Sequence, residues 1–178
     1  HIDRQFLPVD VHPKEGECLL WVTYFGIQPE TVIDQMVQTY KGHLILDHTQ
    51  SFFTAPREDV YQVYSCRKFF GVCDGSYVIK WGLRKRPLEQ HYSSEFFSHL
   101  LQSHEFGTDH AYILNKENEM RLGASGMGIM SPLTRMVLKG TDYSFVKRRR
   151  LANMEMLHRI LGPYNQLRIR MLTPAMNY

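Results

Sequence analysis

The chain has 178 residues, a length that suits one globular domain and is short for two. Hydrophobic residues make up 43% of it and charged residues 22%, a balance that excludes an intrinsically disordered chain. The formal net charge of +3 is too small to indicate a nucleic-acid-binding protein by itself, and no apolar run is long enough to span a bilayer.

The three cysteines form an odd number at low density, which favours a reducing cytosol over a disulfide scaffold. Cys18, Cys66 and Cys73 lack the paired spacing of a zinc site, so we predict no metal. The polar N-terminal stretch shows no signal peptide, and its first residue is not Met. We therefore expect a cytoplasmic protein from which an N-terminal piece is absent, with no membrane and no nucleic acid among its partners.

The first third of the chain reads as strand, helix, strand. The run ECLLWVTYFGI (17–27) is short, rich in aromatic and β-branched residues, and predicts a buried strand. Apolar residues at helical spacing after Pro29 predict a helix over 29–40, and GHLILD (42–47) predicts a second strand. Because both strands are continuously apolar, we predict a parallel sheet with both faces covered.

Two further strands are predicted at 60–64 and at SYVIKW (76–81), after the Asp74-Gly75 turn. LRKRP (83–87) is a basic connector whose charges are typical of a solvated loop.

The second half of the chain reads as helices. Ser131-Pro132 predicts a helix start, and a long helix carrying the run Lys147 to Arg150 is predicted to end at Gly162-Pro163. We therefore expect a three-layer α/β/α fold with a mostly parallel sheet. Residues 1–81 would form its sheet-rich part and 88–162 its helical part, and 163–178 would begin a small C-terminal domain or a disordered end.

Candidate chemistry lies at the predicted strand ends, where α/β sheets place their sites. Asp47 ends a buried strand with Gln50 three residues later, and Lys68 follows in a glycine-containing turn, with Ser65 just before it. A carboxylate and a nucleophilic lysine together are what pyridoxal phosphate needs, since the cofactor bonds to a lysine and its ring nitrogen needs an acidic partner. On spacing alone, Asp47 also fits a cap or turn residue, and Lys68 fits a surface lysine. His43 and His48 raise a metal-site alternative, but strand parity puts them on opposite faces.

The stretches ILDHTQSFF (45–53) and YSCRKFFGVCDGSYVI (64–79) resemble the DegT/DnrJ/EryC1 family of sugar aminotransferases, which have the type I pyridoxal-phosphate transferase fold. The later segment RLGASGMGIMSPLTRMVL (121–138) is similar to the family as well. The resemblance implies that Lys68 forms the Schiff base and acts as catalytic acid and base. It also implies that Asp47 faces the pyridinium, that Gln50 lies beside the ring and that Ser65 is a phosphate ligand.

The resemblance further implies an aminotransferase that moves an amino group from an amino-acid donor to a nucleotide-linked keto-sugar, in surface-polysaccharide or amino-sugar biosynthesis. Members are dimers that share active-site groups, so we expect a homodimer. A complete member is considerably longer than this chain, which leads us to expect a fragment of the large domain. A non-catalytic scaffold that keeps the fold without the chemistry is the alternative.

Overall fold

A computed structural model of the protein describes residues 1–84 and 86–165. Lys85 of the basic connector and residues 166–178 of the predicted C-terminal segment (163–178) lie outside the described residues. The described residues form an α/β fold with one four-stranded sheet. Its strands are β1 (Leu19–Val22), β2 (Leu44–Asp47), β3 (Tyr61–Ser65) and β4 (Ser76–Ile79), and the α-helices are α1 (Glu30–Tyr40), α2 (Ser98–Phe106), α3 (Thr108–Ala124), α4 (Pro132–Lys139) and α5 (Tyr143–Leu161).

The sheet has the strand order β1-β2-β3-β4, and β2 is parallel to both β1 and β3. In this register Asp47 lies opposite Val22 of β1 and Val63 of β3. The prediction of a mostly parallel sheet is therefore confirmed, and the carboxyl ends of its first three strands meet at one edge.

Strand β1 is shorter than the sequence predicts. The chain leaves the strand after Val22 and makes a 3-10 turn over Tyr24–Gly26, in which Phe25 takes a left-handed φ of 58°. Phe25 is 65% exposed. A left-handed conformation is uncommon for a residue with a side chain, so the aromatic composition alone could not predict this turn.

One face of the sheet is well covered and the other is not. Leu44 and Leu46 of β2 are buried, and α1 packs on this face through Ile33 and Met36. On the opposite face Ile45 is half-buried and Leu20 is 58% exposed. Cover of this second face is therefore incomplete among the described residues, which the sequence does not predict because leucine and isoleucine occupy both faces of the strands.

The two boundaries that the sequence predicts in the helical half, at Ser131-Pro132 and at Gly162-Pro163, are observed. Ser131 caps α4 by accepting a hydrogen bond from the Thr134 amide at its side-chain oxygen, and Pro132 is the first residue of the helix. Helix α5 ends at Leu161, immediately before the predicted stop, and a short 3-10 turn follows. No helix within the described ranges is long and apolar enough to cross a membrane.

The chain divides into two compact units that are not contiguous in sequence. The first contains residues 1–64, 77–83 and the described residues from 142 onward, and the second contains 65–76 and 84–141. The first unit thus holds most of the sheet with α1 and α5. The second holds α2, α3, α4 and the segment that follows β3.

Candidate functional site at the carboxyl ends of the strands

Asp47 is the last residue of β2 and the centre of the candidate site. Its carboxylate is half-buried, and its Oδ1 accepts hydrogen bonds from the Thr49 amide at 2.8 Å and from the Thr49 hydroxyl. Among the described residues these are the hydrogen bonds that the carboxylate accepts. This turn orients Asp47 through Oδ1 and leaves Oδ2 able to accept a hydrogen bond from a ligand.

The peptide group that joins Asp47 to His48 is fixed from both sides. The Asp47 carbonyl accepts hydrogen bonds from the Thr23 amide at 3.0 Å and from the Thr23 hydroxyl at 3.2 Å. The His48 amide donates to the Val63 carbonyl at 2.7 Å. The backbone at Asp47 is therefore tied to the strand on each side of it, and the carboxylate projects from a rigid support.

A buried polar cluster lies next to this peptide group and consists of Thr23, His48 and Ser51. Nδ1 of His48 is 2.9 Å from the Thr23 hydroxyl and 3.0 Å from the Ser51 hydroxyl, and the two hydroxyls also bond to each other. The imidazole is fully buried, and its ring centroid lies 4.7 Å from the ring centroid of Tyr64. Burial, followed by the positive charge of Arg57, lowers the pKa of His48 to about 4, so the imidazole is neutral at physiological pH.

Two buried side chains in the first unit have polar atoms without a hydrogen-bond partner among the described residues. They are the amide of Gln28, which follows the turn after β1, and Nε2 of His48. Unpaired buried polar atoms are rare in folded proteins and are the atoms that a bound water or polar ligand satisfies.

Ser65 and Lys68 belong to the second unit. Ser65 ends β3 and is half-buried, and a helical turn follows in which the Phe70 amide donates to the Cys66 carbonyl. Phe70 is buried in this unit, whereas Lys68 is exposed. The segment is therefore held in the second unit by the packing of the Phe70 ring, and Lys68 lies at the surface.

The same segment ends in a buried network around Asp74. Its carboxylate accepts hydrogen bonds from the hydroxyls of Ser131 and Thr134 at the start of α4, and Ser93 bonds to Ser131 at 2.6 Å. Gly75 follows with a left-handed φ of 100°, which confirms the predicted turn. This network anchors the segment to α4 and has the character of a structural support.

No protein-family model, no curated protein and no solved structure matches this chain. The function must therefore be inferred from the residues and their geometry. Within residues 1–84 and 86–165 no group of three or more His, Cys, Asp or Glu side chains could hold a metal ion.

The predicted site residues fall into two sets. Asp47 and the half-buried Gln50 belong to the first unit, and Ser65 and Lys68 belong to the second. Asp47 fits the role of a partner for a cationic ring nitrogen, because it is oriented through one oxygen and half-screened from water. The turn alternative for Asp47 is also observed, in its bonds to Thr49, and the two roles are compatible.

The sequence reasoning missed the cluster of Thr23, His48 and Ser51. It considered His48 only as a metal ligand. Strand parity carried a usable signal, because His48 has the same parity as the buried residues Leu44 and Leu46 and so points to the covered face of the sheet. A histidine on a buried face needs hydrogen-bond partners, and the neighbouring hydroxyls supply them.

Proposed function

We propose that this chain is part of a pyridoxal-phosphate-dependent aminotransferase with a three-layer α/β/α large domain of the type I class. The observation that carries the proposal is the placement of Asp47. It ends the strand that pairs in parallel with both of its neighbours, and it presents an oriented, half-buried carboxylate at the edge where such sheets bind ligands.

When bound, pyridoxal phosphate supplies an electron-accepting ring that takes up charge from a substrate carbon. The Asp47 carboxylate would accept a hydrogen bond from the ring nitrogen and hold the proton there. Gln50 would lie beside the ring, and the Ser65 hydroxyl would donate to the phosphate. The amine of Lys68 would attach the cofactor and move a proton to and from the substrate carbon.

The substrate assignment rests on the family resemblance of the stretches around Asp47 and Lys68. It comprises a nucleotide-linked keto-sugar as acceptor, an amino acid as donor, a homodimer as the working form and a cytoplasmic location. Asp47 and Gln50 belong to the first unit and Ser65 and Lys68 to the second, so Lys68 and Asp47 are each tested by a variant of their own.

The test is selective labelling of the purified chain. It is mixed with one equivalent of pyridoxal phosphate, reduced with borohydride and mapped by mass spectrometry. We expect modification at Lys68 in preference to the other lysines, and loss of this adduct in Lys68→Ala. Lys139→Ala is the matched control, because Lys139 is exposed in the same unit. Labelling spread evenly over the lysines would contradict the proposal.

Asp47→Asn tests the other half of the site. The charge-assisted hydrogen bond that the carboxylate would make is worth about 1.5–3 kcal/mol, so we expect cofactor affinity to fall by about tenfold or more. Asp59→Asn is the control, because Asp59 is an exposed carboxylate of the same unit. Equal affinities in the two variants would remove Asp47 from the proposed site.

A non-catalytic scaffold is the second candidate, and the exposure of Lys68 favours it. A Schiff-base lysine is usually activated by an apolar or cationic surrounding, and a solvated amine lacks that activation. The scaffold predicts a folded chain that stays colourless with added pyridoxal phosphate and gives no preferred adduct.

A further inference from the structure

The cluster of Thr23, His48 and Ser51 meets Asp47 at its main-chain carbonyl. The Thr23 hydroxyl lies 3.2 Å from this carbonyl, which can only accept, so Thr23 is the donor in this contact. The same hydroxyl lies 2.9 Å from Nδ1 of His48 and also bonds to the Ser51 hydroxyl. Thr23 is therefore the member of the cluster that links the buried imidazole to the backbone of Asp47.

Burial lowers the pKa of His48, and the buried side chain of Gln62, which the imidazole also meets, raises it by a smaller amount. His48 is thus held among buried polar groups on the covered face of the sheet. The cluster reaches Asp47 through Thr23, whose amide and hydroxyl both donate to the Asp47 carbonyl.

We propose that Thr23, His48 and Ser51 are positioning residues that hold Asp47 in the orientation needed to bind the cofactor ring nitrogen. The proposal rests on the proposed function, because it assigns Asp47 that task. It goes further because it assigns the orientation of the Asp47 carboxylate to a buried cluster that bonds to the Asp47 main chain and would not touch the cofactor.

The test uses the isosteric pair Thr23→Val and Thr23→Ser in the full chain. Valine keeps the shape and removes the hydroxyl, whereas serine keeps the hydroxyl. The positioning role predicts a fall in cofactor affinity of about threefold to tenfold for Thr23→Val, which corresponds to the free energy of the bond to the Asp47 carbonyl when that bond serves to orient the carboxylate. We expect Thr23→Ser to stay within about twofold of the wild type by the same measure. Thr39→Val is the control, because the Thr39 hydroxyl is exposed and bonds only within α1.

A second readout separates positioning from general stability. The 15N chemical shift of ring-labelled pyridoxal phosphate, followed against pH, reports the protonation of the ring nitrogen directly. A misplaced Asp47 holds that proton less firmly, so the midpoint should move to lower pH by about 0.5 to 1 unit in Thr23→Val, in proportion to the affinity loss. A variant that is only less stable would leave this midpoint unchanged.

Each outcome decides one question. If the wild-type chain gives no Lys68 adduct, the proposed function and this inference both fall. If it does, and Thr23→Val matches Thr23→Ser, only the positioning role is overturned. Loss of affinity without a shift of the midpoint overturns it too. Should Thr23→Val fail to fold, Ser51→Ala is measured in the same way, with the same direction expected.

Discussion

Acidification should destabilise the first unit through His48. The unfolded chain protonates this imidazole near its ordinary pKa of 6.5, but burial keeps it neutral in the folded chain down to about pH 4. Below pH 6.5 the unfolded state therefore binds more protons than the folded state, and stability is lost as the pH falls towards 4. Integrating between the two pKa values, we expect a loss of about 2 kcal/mol between pH 7 and pH 5.

The assay is urea unfolding at pH 7, 6 and 5, followed by the fluorescence of Trp21. This residue is buried in the same unit, and the background variant Trp81→Phe removes the second, exposed tryptophan. We expect His48→Asn to lose about 2 kcal/mol less than the parent over this pH range. His12→Asn, at an exposed position, should follow the parent. Parallel pH profiles for the parent and His48→Asn would refute the reasoning.

Two further predictions concern the segment that follows β3. Gly75→Ala should destabilise the second unit by about 1–3 kcal/mol, because Gly75 has a left-handed φ and the added methyl group would lie 3.0 Å from the Thr134 side chain. Gly71→Ala is the control, because its methyl group would meet nothing within 4 Å. Both variants are measured by circular-dichroism melts, and a similar loss of stability in the two would contradict this prediction. Burial raises the pKa of the Cys66 and Cys73 thiols to about 11 and so keeps them protonated and unreactive. In the native protein a thiol-titrating reagent should therefore react rapidly only with the exposed Cys18, whereas in denaturant it should react with all three cysteines. A second fast-reacting thiol in the native state would count against the buried placement.

The sequence predicts the parallel sheet and its edge because these depend on local signals. Short apolar runs ending in Gly or Asp indicate strands, and the periodicity after Pro29 indicates the helix between them. These signals also place Asp47 at a strand end. The cap of α4 is equally local, since Ser131 bonds within its own first turn.

Features that depend on distant contacts could not be predicted in this way. Asp74 reads as a turn residue, but its hydrogen-bond partners lie 57 and 60 residues further along the chain. The exposure of Leu20 depends on which distant residues cover the sheet, so the sequence of the strand itself does not predict it. The stretch around Lys68 places a lysine beside two phenylalanines but does not show which of these side chains is buried. In the structure Phe70 is buried and Lys68 is exposed.

The interleaved order of the two units has a practical consequence. The backbone passes from one unit to the other at four places, after residues 64, 76, 83 and 141. No single proteolytic nick can release either unit, and neither can be cloned as one uninterrupted piece. A split-protein or truncation strategy would therefore have to rejoin segments by new linkers, and a truncation from either end would remove part of the first unit before it reached the second.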